Sequence, residues 1–336
     1  MTSSRPSDVD PPGLPTIDDV RAAAERIKGK AVLTPLLESP SLNRRFGARL
    51  LVKAEPLQRT GSFKFRGAYN TLVQFNERQR RAGVVTYSSG NHAQGIAAAA
   101  QMLGIPATIV MPADAPAIKV ANTKGYGAEV VSYDRYTENR EAVGEKIATE
   151  RGATIVAPYD EPQVIAGQGT TGLEIAAQAR AASAKLDAVI VCCGGGGLTA
   201  GTAIAITAES AGTSIYCAEP QDFDDTRRSL LAGDRLSNDP KARSICDALL
   251  APTPGKLTFA INRRLLTGGF AVSDTEVQSA MAIAFSELKL VVEPGGAVSL
   301  ASVLAGKYPL AGKTVAVVAS GGNVDRETYA AALARN

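Results

Sequence analysis

Asp187-Ala188-Val189-Ile190-Val191-Cys192-Cys193 runs directly into Gly194-Gly195-Gly196-Gly197-Leu198, and a helix-like stretch, Thr199–Ala208, follows. An apolar run with no polar alternation is what a strand covered on both faces looks like. Consecutive glycines then let the backbone approach an anion closely, with the dipole of the next helix behind them. Strand, glycine turn and helix make half of a βαβ unit, and the loop reads as a phosphate cup. It lacks the Lys-Ser/Thr ending of a Walker loop. A rival reading uses the same residues. Gly195, Gly197 and Ala200 fit G-x-G-x-x-A, and Glu219 ends the next apolar run 19 residues after Ala200. Dinucleotide-binding folds keep their ribose-binding acid there, so on this segment alone an NAD-dependent oxidoreductase stays open.

Working outward, the same pattern recurs. Val84–Ser88, Ala107–Met111, Glu129–Tyr133, Thr154–Ala157, Ser214–Glu219 and Thr314–Ser320 are apolar runs that alternate with Ala-rich, helix-like stretches. This predicts an α/β fold with mainly parallel sheets. The chain has 336 residues, 45% of them hydrophobic, enough for a large core and for two lobes. Charge is nearly balanced, 36 Lys+Arg against 33 Asp+Glu, and no basic cluster interleaves with aromatics, which argues against a nucleic-acid partner. No uncharged apolar stretch approaches the ~20 residues that span a membrane. Met1 to Pro15 is rich in Ser, Asp and Pro without an apolar core, and reads as a tail rather than a signal peptide. Cys192, Cys193, Cys217 and Cys246 form no C-x-x-C, the pattern of reduced thiols in a cytoplasmic protein. The single histidine, His92, excludes multi-His zinc sites.

Three further loops carry reactive groups. Thr60-Gly61-Ser62-Phe63-Lys64-Phe65-Arg66-Gly67-Ala68 sets a lysine between two aromatics ahead of a helix-like stretch. In a dry place the pKa of such an amine falls, because desolvation disfavours the cation, and it becomes a nucleophile for an aldehyde. Taken alone, the tripeptide also suits a surface lysine at a helix start. Ser88-Ser89-Gly90-Asn91-His92-Ala93-Gln94-Gly95 follows an apolar run, and its N–H groups and hydroxyls at a helix N-terminus would cradle a carboxylate. Ser and Asn are also ordinary helix caps. Val317-Val318-Ala319-Ser320-Gly321-Gly322-Asn323-Val324 ends another run, and the Ser320 hydroxyl suits the ring nitrogen of a heteroaromatic cofactor.

In this order the four loops resemble the fold type II pyridoxal-phosphate enzymes, in the branch of serine/threonine dehydratases and serine racemases. Leu33-Thr34-Pro35-Leu36, Ala166-Gly167-Gln168-Gly169-Thr170 and Val292-Glu293-Pro294-Gly295-Gly296-Ala297 match as well, so the resemblance covers nearly the whole chain. It implies a fold like that of tryptophan synthase β, with two three-layer α/β lobes. The larger would comprise 17–82 plus 158–336, the smaller, mobile one 83–157, after a disordered tail over 1–16. It also implies that Lys64 carries pyridoxal 5′-phosphate as a Schiff base, and that Gly194, Gly195, Gly196 and Gly197 bind the phosphate. Asn91 would meet the ring hydroxyl and Ser320 the pyridine nitrogen, with Phe63, Leu198, Glu293 and Gly321 completing the cofactor contacts. A hydroxyl rather than a carboxylate at that nitrogen leaves it unprotonated, which favours prompt loss of a β-leaving group. Lys64 would take the Cα proton, and Ser89, facing it across the cofactor, could return one, so that some racemisation is expected.

Ser88, Ser89, Gly90, Asn91 and His92 are the implied substrate-carboxylate loop, with His92 at its rim as a contact and not the catalyst. Arg140 aligns with an arginine that in racemase-like members reaches a distal carboxylate, and a guanidinium grips such a group with two parallel hydrogen bonds. Taken alone it also suits a solvated charge in the Glu138–Lys146 run. The expected reaction is therefore dehydration of 3-hydroxyaspartate to oxaloacetate and ammonia. L-Threonine/L-serine dehydratase and serine racemase are the alternatives, and the oxidoreductase is a remote one. Glu219, the Phe223 carbonyl and Asp225 resemble the family's site for a divalent cation, Mg2+, Mn2+ or Ca2+. A homodimer is expected from the family alone. Cys246-Asp247-Ala248 departs from the usual Ala-Asp-Gly, which puts a ring contact in doubt, and an end at Asn336 leaves no room for a regulatory domain.

Overall fold

The structure, a computed structural model, describes residues 11–88, 90–115, 117–134 and 136–334. Its strands are β1 Leu36–Glu38, β2 Arg49–Ala54, β3 Val84–Tyr87, β4 Ala107–Pro112, β5 Glu129–Tyr133, β6 Thr154–Ile155, β7 Ala188–Cys192, β8 Ser214–Pro220, β9 Gly268–Val272 and β10 Thr314–Ala319. The helices of the first half are α1 Ile17–Ile27, α2 Pro40–Phe46, α3 Lys64–Leu72, α4 Glu77–Ala82, α5 Asn91–Leu103, α6 Ala117–Gly125 and α7 Arg140–Arg151. Those of the second half are α8 Pro162–Ala181, α9 Gly197–Glu209, α10 Asp225–Ala232, α11 Lys256–Leu265, α12 Asp274–Leu288, α13 Pro294–Leu304 and α14 Arg326–Leu333.

Two sheets result. One has the order β1-β2-β10-β7-β8-β9, and the other β5-β4-β3-β6. All pairings are parallel except that of β1 with β2. The quoted run is β7, held between β10 and β8 with Ala188 opposite Val315 and Ser214. Its five residues are all buried, as are Val315 to Ala319 of β10. Helices on both faces explain the missing alternation. The edges read less clearly. Strand β1 is a three-residue edge, and β9 opens on Gly268-Gly269, which in sequence signals a turn. The tail expected over 1–16 lies mainly outside the described residues. Its last part is packed instead: Leu14 sits against Ile165, Ala200 and Ile261, and Thr16 caps α1 in a reciprocal pair with Asp19.

The central helix α8 ties the two functional helix starts together. A Cβ on Gly167 would lie 2.6 Å from the Gly67 Cα of α3, and one on Gly169 would lie 2.8 Å from the Gly201 carbonyl of α9. Only glycines allow backbones this close. The Ala166–Thr170 motif is thus a contact surface that fixes α3, which begins at Lys64, relative to α9, which begins in the glycine loop. A charge cluster, buried except for the edge of Glu174, braces the same place. Arg66 pairs with Glu55 at 2.8 Å and with Glu174 at 2.6 Å, and Lys53 pairs with Glu174 at 2.6 Å. Burial alone would lower the Arg66 pKa, but Glu55 and Glu174 outweigh it and keep the guanidinium charged. Breaking such a buried pair from one side costs about 3–5 kcal/mol, so the cluster locks the helix.

Candidate active site

A cavity of about 840 Å³ opens where the two sheets meet, lined by residues of all four loops. Lys64 is the first residue of α3, and its loop is stitched to the loop after β10. Ser62 bridges Gly321, and the Phe63 N–H donates to the Ser320 carbonyl at 3.1 Å. The Lys64 Nζ donates to the Pro158 carbonyl at 2.6 Å and lies 5.2 Å from the centre of the Phe63 ring. Partly buried in the cavity wall, the amine is desolvated, and its pKa comes down to about 8. The surface-lysine reading therefore does not apply.

Opposite it, Gly194 to Gly196 lead into α9, with Gly196 at φ 93°, a backbone position that favours glycine. The Tyr159 ring lies flat on Gly195 and leaves no space for a Cβ there. The Thr258 hydroxyl fixes this turn by donating to the Gly195 carbonyl at 2.7 Å. Leu198 is buried in the first turn of α9. The result is a backbone-lined cup at a helix N-terminus, a geometry that suits an anion.

Between lysine and cup lies a chain of polar groups. Asn91 Nδ2 donates to Glu293 Oε1 at 2.6 Å, and Asn323 Nδ2 donates to Asn91 Oδ1 at 2.7 Å and to the Thr60 carbonyl at 2.7 Å. Burial, helped by Asp247, raises the Glu293 carboxyl to about 8 against the bond from Asn91, so it is protonated at neutral pH. Its N–H donates to the Gly321 carbonyl at 3.0 Å. Ser320, at the end of β10, is buried in the cavity wall. These groups make a site that fits a planar heteroaromatic ring bearing an aldehyde and a phosphate: an amine, an anion cup, and a buried hydroxyl between them.

On the substrate side, Gly90 caps α5 without a side-chain bond, and its N–H donates to Ser88 Oγ at 3.3 Å. Ser89 lies outside the described residues. His92 is not at a rim. It is 2% exposed in the cavity wall, and its Nε2 lies 3.2 Å from the Val156 carbonyl. Burial first, then the Lys64 charge, push its pKa down to about 3, so it stays neutral. Arg140, first residue of α7, faces the same cavity with its guanidinium 5.6 Å from the centre of the Tyr87 ring. Across the mouth, Lys119 of α6 pairs with Asp247. The methyl of Ala248, the departure noted above, rests against Gly295, whose own Cβ would come within 3.1 Å of it.

Away from the cavity, Glu219 stands next to the end of β8 and Asp225 begins α10, both fully buried. The N–H groups of Thr226 and Arg227 donate to Glu219 at 3.0 and 2.7 Å, which removes this carboxylate from any ribose role. Asn238 donates to Asp225 Oδ1 at 2.7 Å, while Asp225 Oδ2 is buried with no hydrogen-bond partner among the described residues. Burial, then Asp225 itself, hold the Glu219 carboxyl well above its usual range, and burial raises Asp225 to about 6. Phe223 is buried in the turn between them. Among the described residues no group of three or more His, Cys, Asp or Glu side chains gathers that could hold a metal ion, so Glu219 and Asp225 stand as a pair. The four cysteines are buried and unpaired.

Sequence reasoning missed Tyr87, Tyr159 and Asn323. Asn323 was visible in Ser320-Gly321-Gly322-Asn323. Tyr159 sits in a crossover with no pattern around it, and Tyr87 read only as a strand residue.

The profile of the family described as "Pyridoxal-phosphate dependent enzyme" matches residues 28–321. The chain is 46% identical over 320 residues to an L-threo-3-hydroxyaspartate ammonia-lyase of Pseudomonas sp, covering 95% of this chain and 99% of the other. It is 45% identical over 317 residues to a serine racemase of Schizosaccharomyces pombe, covering 94% and 97%. Its fold is similar to the solved structure of maize serine racemase, with a TM-score of 0.89, 37% identity, and coverage of 96% and 97%.

Proposed function

The chain belongs to the pyridoxal-phosphate-dependent enzymes, and from that premise we propose that it eliminates water from 3-hydroxyaspartate, giving oxaloacetate and ammonia. The observation that carries this reading is that Lys64 and Arg140 line one cavity. When bound, the cofactor supplies the electron sink that lets the Cα–H bond break. Lys64 would hold it, Gly194 to Gly197 and Leu198 its phosphate, and Asn91, Ser320, Phe63, Glu293 and Gly321 its ring. With a pKa near 8, the Lys64 amine is suited to take the Cα proton and give it up again near neutral pH. The start of α5, with no side chain capping it, offers the N–H groups of Asn91 and His92 to the α-carboxylate, beside the Ser88 hydroxyl. The Arg140 side chain packs by the Tyr87 ring, and offers its fork to the second carboxylate.

Racemisation at Cα is a second reading, carried by the hydroxyl that the sequence places at Ser89. Residues 83–157 are taken as the mobile lobe that closes on the substrate, and a homodimer as the assembly. Glu219, Asp225 and the Phe223 carbonyl fit a divalent cation, Mg2+, Mn2+ or Ca2+. Two buried carboxyl groups, one raising the proton affinity of the other and one with an orphaned oxygen, are hard ligands in need of positive charge. Among the described residues no helix is long and apolar enough to cross a membrane.

The test is Arg140→Ala. Its kcat/KM for 3-hydroxyaspartate should fall about a hundredfold, with serine and threonine turnover affected far less. An equal loss on all three substrates contradicts the substrate assignment.

A further inference from the structure

Arg140 is a long cation with many rotatable bonds at the start of a helix, and something must aim it. Its guanidinium lies 5.6 Å from the centre of the Tyr87 ring, the last residue of β3 and the neighbour of Ser88. One turn further along α7, on the same face, stands Gly144, which is buried. A Cβ on Gly144 would lie 3.3 Å from Tyr87 Cδ1 and 3.9 Å from Val85 Cγ1. Glycine weakens a helix interior relative to alanine, so its presence there asks for a packing reason. The reason here is the tyrosine ring, which occupies the space that a methyl group would crowd.

We propose that Tyr87, seated on Gly144, is the positioning residue that aims Arg140 at the distal carboxylate of the substrate. The inference rests on the reading of Arg140 given above and deepens it. A cation held over an aromatic face makes no hydrogen bond to it, so the guanidinium N–H groups stay free to grip a carboxylate in two parallel bonds. Tyr87 contributes the ring face and not its hydroxyl. The seat and the cation share helix α7, so any movement of the helix carries both together. Selectivity for a dicarboxylate then depends on a residue that need not touch it.

The experiment reads one ratio, kcat/KM for 3-hydroxyaspartate over kcat/KM for serine, in the holoenzyme. Tyr87→Leu should lower it about tenfold, mainly through the KM for hydroxyaspartate. Tyr87→Phe should restore it to within about twofold of wild type, since the ring face remains. Placed on Arg140→Ala, Tyr87→Leu should cause no further fall. Equal losses on both substrates, a Phe variant as impaired as the Leu variant, or a further fall on Arg140→Ala would each overturn the proposal. An unchanged ratio in Arg140→Ala alone overturns the substrate reading and this inference together, and that result is seen in a variant with Tyr87 intact. Should Tyr87→Leu fail to fold, Gly144→Ala serves instead. Its methyl pushes the ring, so the ratio should fall about threefold with no loss of melting temperature. A wild-type ratio in that variant overturns the proposal.

Discussion

At Lys64 the decisive quantity is the proton affinity of one amine. Desolvation sets it near 8, where an exposed lysine keeps its proton to about 10.4. The rate at which cofactor-free protein captures added pyridoxal phosphate should therefore climb with pH up to about 8 and then level off. A rate still climbing at about pH 10 would show an ordinary lysine. Glu293 makes a second prediction. The folded state holds its proton up to about 8, while the unfolded chain releases it near 4.3. Its contribution to stability is thus complete below about pH 4.3 and is lost as pH rises toward 8. In cofactor-free protein, Glu293→Gln should flatten the decline in melting temperature between about pH 5 and pH 8, and an unaltered slope counts against the assignment. The reactive residues were legible because each sits in a short loop of distinctive composition. Tyr87 and His92 show the limit of that reading. What they do depends on a neighbour distant in sequence, Arg140 for the first and the Val156 carbonyl for the second.

Among the elements, α8 holds the site together without entering it. It brings Gly167 onto Gly67 and Gly169 onto Gly201, and so sets how far the lysine stands from the phosphate cup. Gly167→Ala must drive α3 and α8 apart, because the nearest atoms are backbone rather than flexible side chain. Overpacking of that kind costs about 1–3 kcal/mol. Urea unfolding should read that loss, and a titration should read weaker retention of the cofactor. Undiminished stability and retention would mean that the helices have room to spare. The central strands β7 and β10 were readable because burial on both faces makes them continuously apolar. The edge strands were not. Three residues of β1 carry too little pattern, and the glycine pair of β9 imitates a turn.

For the molecule as a whole, stability and activity meet at the boundary between the two sheets and at the acidic pair behind β8. The Lys119–Asp247 pair spans the cavity mouth with its carboxylate half exposed. Such pairs contribute about 1 kcal/mol or less, so this one opens readily when a substrate enters. Behind β8, Glu219 and Asp225 stand close with one oxygen unpartnered. Millimolar Mg2+ should raise the melting temperature of the holoenzyme, a chelator should reverse the rise, and Asp225→Asn should abolish it. No response to the metal would mean that the acidic pair holds no cation. Elimination from 3-hydroxyaspartate is the most direct measurement. Purified holoenzyme given 3-hydroxyaspartate should release oxaloacetate and ammonia in equal amounts, faster than it releases keto acid from serine or threonine, and Lys64→Ala should release neither. No keto acid from any of the three substrates, or release that survives the loss of Lys64, would contradict the proposed elimination.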